Sequence, residues 1–271
     1  MLDVGGRPLV MGILNVTPDS FGESRALSTD EAIARALEIE AEGADVVDVG
    51  GESTRPGAEP VDTDTELRRL LPVIEGLRGR LRIPISVDTY KAAVADAALE
   101  AGAHMVNDVS GLLYDLALAG VVARRRASIV LMHTRGRSKD MYQQAEYEDV
   151  VVDVGRELRA RVDAAVAAGV PLDAIVVDPG VGFAKRPEHS YGVLARLPHL
   201  ASALGRPLLV GPSRKSFMRA AAGGSDAPGR DWTTAAAVTA SVFGGAHIVR
   251  VHAVGPMVQV VRAAEAIRQA G

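Results

Sequence analysis

Residues 46–57 read VVDVGGESTRPG, and this stretch shows the pattern from which the fold can be predicted. A short run of mostly β-branched residues ends at Gly50, and the polar residues Glu52, Thr54 and Arg55 follow at once. Such runs are typical of strands that are buried on both faces of a parallel sheet. Because the carboxyl ends of parallel strands meet at one edge, the residues that follow such a run are candidates for a shared site.

Eight runs of this kind occur along the chain, and each stops at a residue that can take part in chemistry. In order, they end at Asn15, Gly50–Glu52, Asp88, Asn107 with Asp108, His133, Asp178, Gly211, and Arg250 with His252. Segments with helical capping signals and glycine stops separate them. The predicted helices are residues 29–42, 63–77, 91–100, 115–125, 147–168, 189–204, 233–243 and 256–269.

Strict alternation of strands and helices indicates a parallel sheet covered by helices. Eight strand–helix pairs favour a closed (β/α)8 TIM barrel over an open doubly wound sheet, and no GxGxxG motif follows the first strand. The length of 271 residues suits one barrel of about 250 residues. The sequence therefore predicts an α/β protein with a single domain that spans residues 1–271.

Composition excludes several classes of function. The formal net charge of −4 argues against nonspecific nucleic-acid binding, which needs a basic surface. The chain has no cysteine, so disulfides and thiolate metal sites are impossible. No apolar stretch approaches the ~20 residues of a membrane span, and the first residues lack the apolar core of a signal peptide. We therefore expect a cytoplasmic protein without nucleic-acid or membrane partners.

Basic residues follow three of the predicted strands. Arg55 follows the second strand, Ser213–Ser216 with Lys215 follows the seventh, and Arg250 with His252 ends the eighth. Guanidinium groups suit bidentate phosphate binding, and the loops after strands seven and eight of barrels often bind phosphate. The three clusters together predict an anion site.

Acidic and amide side chains form a second set at strand ends, with Asp88, Asn107 and Asp178. Burying them unpaired would cost several kcal/mol, so a base such as Lys215 or a ligand must satisfy them. A heterocycle with amide and amino edges would suit this set. Helix capping by Asp108 is an equally good interpretation of that residue, whereas the role of Glu52 stays open.

Other residues allow narrower statements. Asn15 at the first strand end could ligate Mg²⁺ through its amide oxygen. Asp48 could simply brace the barrel, and His133 is best interpreted as a satisfied structural group. No HExxH, GxSxG or Walker motif occurs, so zinc, serine-hydrolase and P-loop chemistry lack support.

Several long motifs resemble the dihydropteroate synthase family, in order and over nearly the whole chain. They are MGILNVTPDSF (11–21), GGESTRPG (50–57), SVDT (86–89), NDVSG (107–111), DPGVGF (178–183) and SRKSF (213–217). The resemblance implies a (β/α)8 transferase of folate biosynthesis and a sulfonamide target. Such an enzyme condenses 6-hydroxymethyl-7,8-dihydropterin diphosphate with 4-aminobenzoate and releases diphosphate.

The resemblance also implies residue roles. Asn15 would hold Mg²⁺, and Asp88, Arg55 and Lys215 would be catalytic. The pterin pocket would consist of Asp88, Asn107, Asp178 and Lys215, and the diphosphate site of Thr54, Arg55, Arg250 and His252. The 4-aminobenzoate pocket would consist of Phe21, Pro56, Phe183 and Ser216. Family members are usually dimers, so a homodimer through the last helices is expected.

Three alternatives remain open at this stage. A methyltransferase pterin module shares the barrel but needs no diphosphate site, and the runs at 53–57 and 213–216 argue against it. A weakly active paralogue is suggested by Ala253, where the family usually has Asp, and by a first loop about one residue shorter than usual. A sugar-phosphate aldolase or isomerase would explain the anion site and would use Lys215 as its only Schiff-base candidate.

Overall fold

The computed structural model describes residues 4–17, 27–55, 57–224 and 230–270. Its strands are β1 (Leu9–Asn15), β2 (Val46–Gly50), β3 (Ile85–Asp88), β4 (Met105–Asp108), β5 (Ser128–Met132), β6 (Ile175–Asp178), β7 (Leu209–Val210) and β8 (Ile248–Val251). Its helices are α1 (Thr29–Ala41), α2 (Thr63–Leu77), α3 (Ala92–Ala101), α4 (Leu118–Arg125), α5 (Val150–Ala167), α6 (Pro187–Ala195), α7 (Leu197–Leu204), α8 (Asp231–Phe243) and α9 (Val254–Ala270).

The strands form one parallel sheet that closes on itself, which confirms the predicted (β/α)8 barrel. The order is β6-β5-β4-β3-β2-β1-β8-β7, so β1 pairs with both β2 and β8. A parallel bridge between Val177 and Leu208 joins β6 to the start of β7, and the Val177 N–H donates to the carbonyl of Pro207 at 3.0 Å. This bridge nearly closes the barrel.

Alternation along the strands separates two packing regions. Every second side chain points into the barrel. Eight apolar residues fill the interior toward the amino ends of the strands, and they are called here the apolar layer. These residues are Leu9, Met11, Val46, Met105, Val130, Val176, Leu209 and Ile248. The intervening side chains point outward and pack against the helices in a larger cluster that includes Val10, Val47 and Val249.

Close approach of helices to the barrel explains one strand glycine. A Cβ built on Gly12 would lie 2.4 Å from Cγ2 of Ile39 on α1 and 2.9 Å from Cγ2 of Val254 on α9. Both distances are shorter than any real carbon contact. Gly12 therefore allows α1 and α9 to pack directly on β1.

The predicted helix at residues 189–204 was wrong in one respect, because two helices occupy this region. The break lies at Arg196, whose φ and ψ of −113° and 23° are not helical. Pro198 follows two residues later, and a proline ring clashes with the carbonyl four residues earlier in a continuous helix. The helix axis must therefore restart at Leu197.

No helix within the described residues is long and apolar enough to cross a membrane.

Candidate active site

The predicted site residues lie inside the barrel, directly above the apolar layer. Positions two residues after Val46, Met105, Val176 and Ile248 are Asp48, Asn107, Asp178 and Arg250. Because alternate residues of a strand share one face, these side chains point into the barrel and form a polar layer. Asp88 joins them from the end of β3, where it is paired in register with Gly50 and Asn107.

A cavity of about 500 Å³ opens above the polar layer at the carboxyl ends of the strands, and it is called here the rim cavity. Nine predicted site residues line it: Asn15, Thr54, Arg55, Asp88, Phe183, Lys215, Ser216, Arg250 and His252. Asn107 and Asp178 are buried in the polar layer beside the cavity but do not line it. Phe21 and Pro56 lie outside the described residues.

One guanidinium joins the acidic and basic parts of the site. Arg250 donates from Nε to Oδ2 of Asp48 at 2.6 Å and from Nη2 to Oδ2 of Asp88 at 2.7 Å. Asn107 donates from Nδ2 to the same Asp48 oxygen at 2.9 Å. Asp48 is fully buried and braces the polar layer, as its strand position suggested. Sequence reasoning did not foresee that Arg250 would be bound by two carboxylates at the floor of the anion site.

Burial shifts the ionisation of the polar layer. Desolvation raises the pKa of Asp88 to about 7, although the positive charge of Arg250 opposes the shift. Desolvation likewise raises the pKa of Asp178, whose Oδ1 accepts from the Gly180 N–H at 2.7 Å. The Arg250 contact is therefore what favours the ionised form of Asp88 near neutral pH.

Lys215, in the loop after β7, lies close enough to Asp178 at the end of the neighbouring β6 for their charges to interact. Its Nζ donates to the carbonyl of Val181 at 2.6 Å and lies 4.0 Å from the ring centroid of Phe183. Desolvation lowers the pKa of Lys215 to about 7, against the attraction of Asp178. Its amine can therefore exchange a proton at neutral pH, as general acid–base catalysis requires.

His252 is a neutral hydrogen-bonding group and not a cation. Burial and the nearby charges of Arg250, Arg214 and Arg55 lower its pKa to about 3. The backbone N–H of His252 donates to Oγ of Ser213 at 3.2 Å, and that oxygen lies 2.9 Å from Nδ1 of the imidazole. The β7 and β8 loops are thus joined at the rim.

Asp108 and Glu52, which the sequence left open, make structural contacts, as does His133. Asp108 holds its own turn, since its carboxylate accepts from the N–H groups of Ser110 at 2.8 Å and Leu112 at 2.6 Å. Glu52 forms an ion pair with Lys91 at 2.5 Å at the side of the cavity. His133 points outward to α5, and its Nε2 lies 3.0 Å from Oε2 of Glu157, so it is a satisfied buried group.

Sequence reasoning missed several residues of the rim cavity. Met141 and Tyr142 come from a 3-10 turn in the β5–α5 loop, and Tyr142 donates to the carbonyl of Gly182 at 3.2 Å. Arg230 enters from the residue before α8. Ile13 could have been found by alternation, since it lies two residues before Asn15. The loop residues gave no such signal, because irregular segments have no periodicity.

Comparisons with known proteins agree with this fold. The family model "Pterin binding enzyme" matches residues 11–252. A dihydropteroate synthase of Synechocystis is 46% identical over 270 residues, which cover 98% of this chain and 92% of that protein. A dihydropteroate synthase of Clostridium difficile, solved with pteroic acid, has a TM-score of 0.91 and 42% identity over 98% of this chain and 99% of that one. A Xanthomonas albilineans dihydropteroate synthase with 4-aminobenzoic acid has a TM-score of 0.90 and 41% identity over 97% of this chain and 93% of that one.

The Arg250 bridge gives a prediction for stability. Replacing Arg250 by Met should leave Asp48 and Asp88 without their shared cation, and losing one partner of a buried ion pair costs ~3–5 kcal/mol. The pKa of Asp88, about 7 in the wild type, should then rise. The folded variant would hold a proton that the unfolded chain releases above pH ~4, so its stability should keep falling as the pH rises past 7.

Urea unfolding at pH 5, 7 and 9 measures this effect. The free-energy deficit of the variant relative to the wild type should be larger at pH 9 than at pH 5. Arg219→Met removes an equal charge from an exposed residue and should leave stability nearly unchanged at each pH. A deficit for Arg250→Met that is the same at pH 5 and pH 9 would contradict the coupling to Asp88.

Proposed function

The chain belongs to the pterin-binding enzyme family, among the dihydropteroate synthases, and on this premise we propose how its rim cavity performs their reaction. It is a transferase of folate synthesis that condenses 6-hydroxymethyl-7,8-dihydropterin diphosphate with 4-aminobenzoate, giving 7,8-dihydropteroate and diphosphate. One observation supports the residue roles above all others. Arg250 touches the acidic layer that suits the ring and also lines the cavity that suits the diphosphate.

The polar layer is proposed as the pterin site. A pterin has amide and amino edges, and Asp88, Asn107 and Asp178 offer acceptors and a donor to such edges. Lys215 supplies a further donor near Asp178. These four residues come from β3, β4, β6 and the β7 loop, so they surround the mouth of the barrel.

The proposed diphosphate site lies at the β2 and β8 side of the rim cavity. Thr54, Arg55, Arg250 and His252 line this cavity together. Arg55 lies near enough to His252 to lower its pKa, although the two are far apart in sequence. Since Nε and Nη2 of Arg250 donate to carboxylates, Arg55 is the proposed main cation for the departing diphosphate.

The reaction follows from these positions. The C–O bond to the diphosphate breaks, and its electron pair leaves with the oxygen. The ionised carboxylate of Asp88 favours the positive charge that develops on the pterin methylene, while Arg55 favours the negative charge on the leaving group. The amine nitrogen of 4-aminobenzoate then forms the C–N bond and loses a proton. The Lys215 amine, with a pKa of about 7, is a suitable acceptor.

The 4-aminobenzoate site is proposed against Phe183 and Ser216, with Phe21 and Pro56 from the part of the chain that is not described. The Phe183 ring supplies a flat apolar face, and the Lys215 ammonium lies 4.0 Å from its centroid. Ser216 begins a 3-10 turn and faces the same cavity.

Magnesium is a proposed cofactor, and Asn15 would hold it. A Cβ on Gly50 would lie 3.5 Å from Oδ1 of Asn15 and 3.7 Å from Oδ2 of Asp88, so both hard oxygens face one region beside Gly50. The described residues contain no cluster of three histidine or carboxylate groups that could hold a metal alone. This fits Mg²⁺, which binds through one or two protein oxygens together with substrate phosphates. When bound, it would neutralise charge on the diphosphate.

A coupled assay of diphosphate release tests the proposed reaction. Release from the dihydropterin diphosphate should require both 4-aminobenzoate and Mg²⁺. Release without the aromatic amine would point to a hydrolase. No release with both substrates, combined with tight pterin binding, would favour the weakly active paralogue suggested by Ala253.

Arg55→Ala tests the role of the β2 loop in catalysis. If Arg55 stabilises charge that develops on the diphosphate, turnover should fall by ~10²-fold or more, as on losing an anion-binding donor. Arg80→Ala removes a charge near the amino end of β3, at the opposite end of the barrel, and should leave turnover unchanged. Unchanged steady-state rates in Arg55→Ala would remove this residue from the mechanism.

Asn15→Ala tests the magnesium proposal. The Mg²⁺ concentration for half-maximal diphosphate release should rise about tenfold or more, on the scale at which changes to a metal's surroundings act. The KM for 4-aminobenzoate serves as an internal control and should not change. An unaltered Mg²⁺ requirement would show that Asn15 does not hold the ion.

Assembly as a homodimer through α8 and α9 is also proposed. The two helices pack together, and they carry exposed apolar side chains at Trp232 (84%), Phe243 (49%) and Ile267 (62%). Burying such side chains against a second copy would be favourable. Sedimentation equilibrium should give the mass of two chains, and Ile267→Arg should shift it toward one. A wild type with the mass of one chain would refute the dimer.

A cytoplasmic location is proposed on the absence of cysteine, which suits a reducing compartment. Cell fractionation tests it, and recovery outside the cytoplasmic fraction would refute it.

A further inference from the structure

Arg230 lines the rim cavity, but its hydrogen bonds differ from those of Arg214 and Arg250, which also line it. Arg250 donates to Asp48 and Asp88, and Arg214 forms a bidentate pair with Asp231 at 2.8 and 2.9 Å. Arg230 makes no ion pair with a described carboxylate. Its Nη1 donates to the carbonyl of Arg214 at 2.8 Å, and its Nε is buried without a hydrogen-bond partner.

An N–H group of a guanidinium that has lost water and gained no acceptor is unfavourable, and such a group calls for an explanation. Arg230 also lines the rim cavity, together with Lys215 and Ser216. The cavity is thus lined by a guanidinium whose buried Nε has no acceptor in the protein. A carboxylate in the cavity that meets the Nε–Nη2 edge, once the guanidinium turns toward it, would remove the deficit, since this is the fork geometry that arginine offers.

Arg230 lies on a defined side of the rim cavity. It is the residue before α8 and is fixed to the β7 loop through the Arg214 carbonyl. The groups proposed for the diphosphate follow or end other strands, with Thr54 and Arg55 after β2 and Arg250 and His252 at the end of β8. Arg230 therefore belongs to the β7–α8 side of the cavity, where Ser216 also lies.

The shape of the second substrate agrees with this placement. Its amine must reach the pterin methylene near Asp88, so its carboxylate, at the opposite end of a rigid ring, must lie away from the polar layer. We propose that Arg230 binds the carboxylate of 4-aminobenzoate and selects aromatic amines that carry a negative charge opposite the amine. This inference rests on the proposed function and adds a specificity-determining residue to it.

Arg230→Met tests the proposal by comparing a charged with a neutral amine. Each protein is assayed with 4-aminobenzoate and with 4-aminobenzamide, which keeps the ring and the amine but lacks the charge. The wild type should prefer the benzoate, and the variant should lower the ratio of the two kcat/KM values about tenfold or more, as expected for losing a charge-assisted bidentate pair. The KM for the dihydropterin diphosphate should change less than about twofold, because the contacts that bind that substrate are not altered by this substitution.

Arg219→Met is the matched control. Arg219 is an exposed arginine on the same segment and does not line the rim cavity, so it tests loss of general positive charge. It should keep the wild-type ratio. Arg230→Lys keeps the charge without the fork and should give an intermediate ratio. If Arg230→Met does not fold, as judged by circular dichroism, the Lys variant carries the test.

Three results separate the possible failures. An unchanged benzoate-to-benzamide ratio in Arg230→Met would overturn the proposal. A rise in the KM for the dihydropterin diphosphate with an unchanged ratio would also overturn it, and would place Arg230 with the diphosphate. If the wild type releases no diphosphate with either amine, the proposed function itself fails. Calorimetric titration of the two amines into the pterin-bound protein then still measures the charge preference of Arg230.

Discussion

The site depends on two buried carboxylates, Asp48 and Asp88, that share the guanidinium of Arg250. Both carboxylates are buried, and an isolated buried charge is strongly unfavourable. A bridging arginine donates to one oxygen of each carboxylate, and its five donors lie in a rigid plane. The acidic part that suits a pterin and the basic part that suits a diphosphate are therefore one connected network. A change on either side alters the electrostatics of the other.

The barrel separates stability from chemistry along its axis. The apolar layer fills the lower interior, and two residues further along the same strands the interior becomes polar. Strand pairing positions both layers, because each strand is held by neighbours on both sides. The site can therefore contain groups with unfavourable burial, such as Asp88 and Lys215, whose pKa values both lie near 7. The apolar layer and the outer helices compensate for this cost.

Much of this arrangement was predictable from sequence. A run such as VVDVG predicts a buried strand, and barrel geometry brings the ends of eight such runs together, so the convergence of Asp88, Lys215 and Arg250 followed from topology alone. The fine pairing did not follow. Arg250 and Asp48 are 202 residues apart, and only the actual side-chain geometry shows that they meet at 2.6 Å. Tyr142 and Arg230 come from loop positions, where no periodicity indicates which way a side chain points.

A crystal structure with the dihydropterin diphosphate bound tests the central claim most directly. The claim predicts that the ring contacts Asp88, Asn107 and Asp178 and that the phosphates contact Arg55 and His252, with Arg250 between the two groups. A ring bound outside the polar layer, with Asp88 and Arg250 touching only each other, would contradict it.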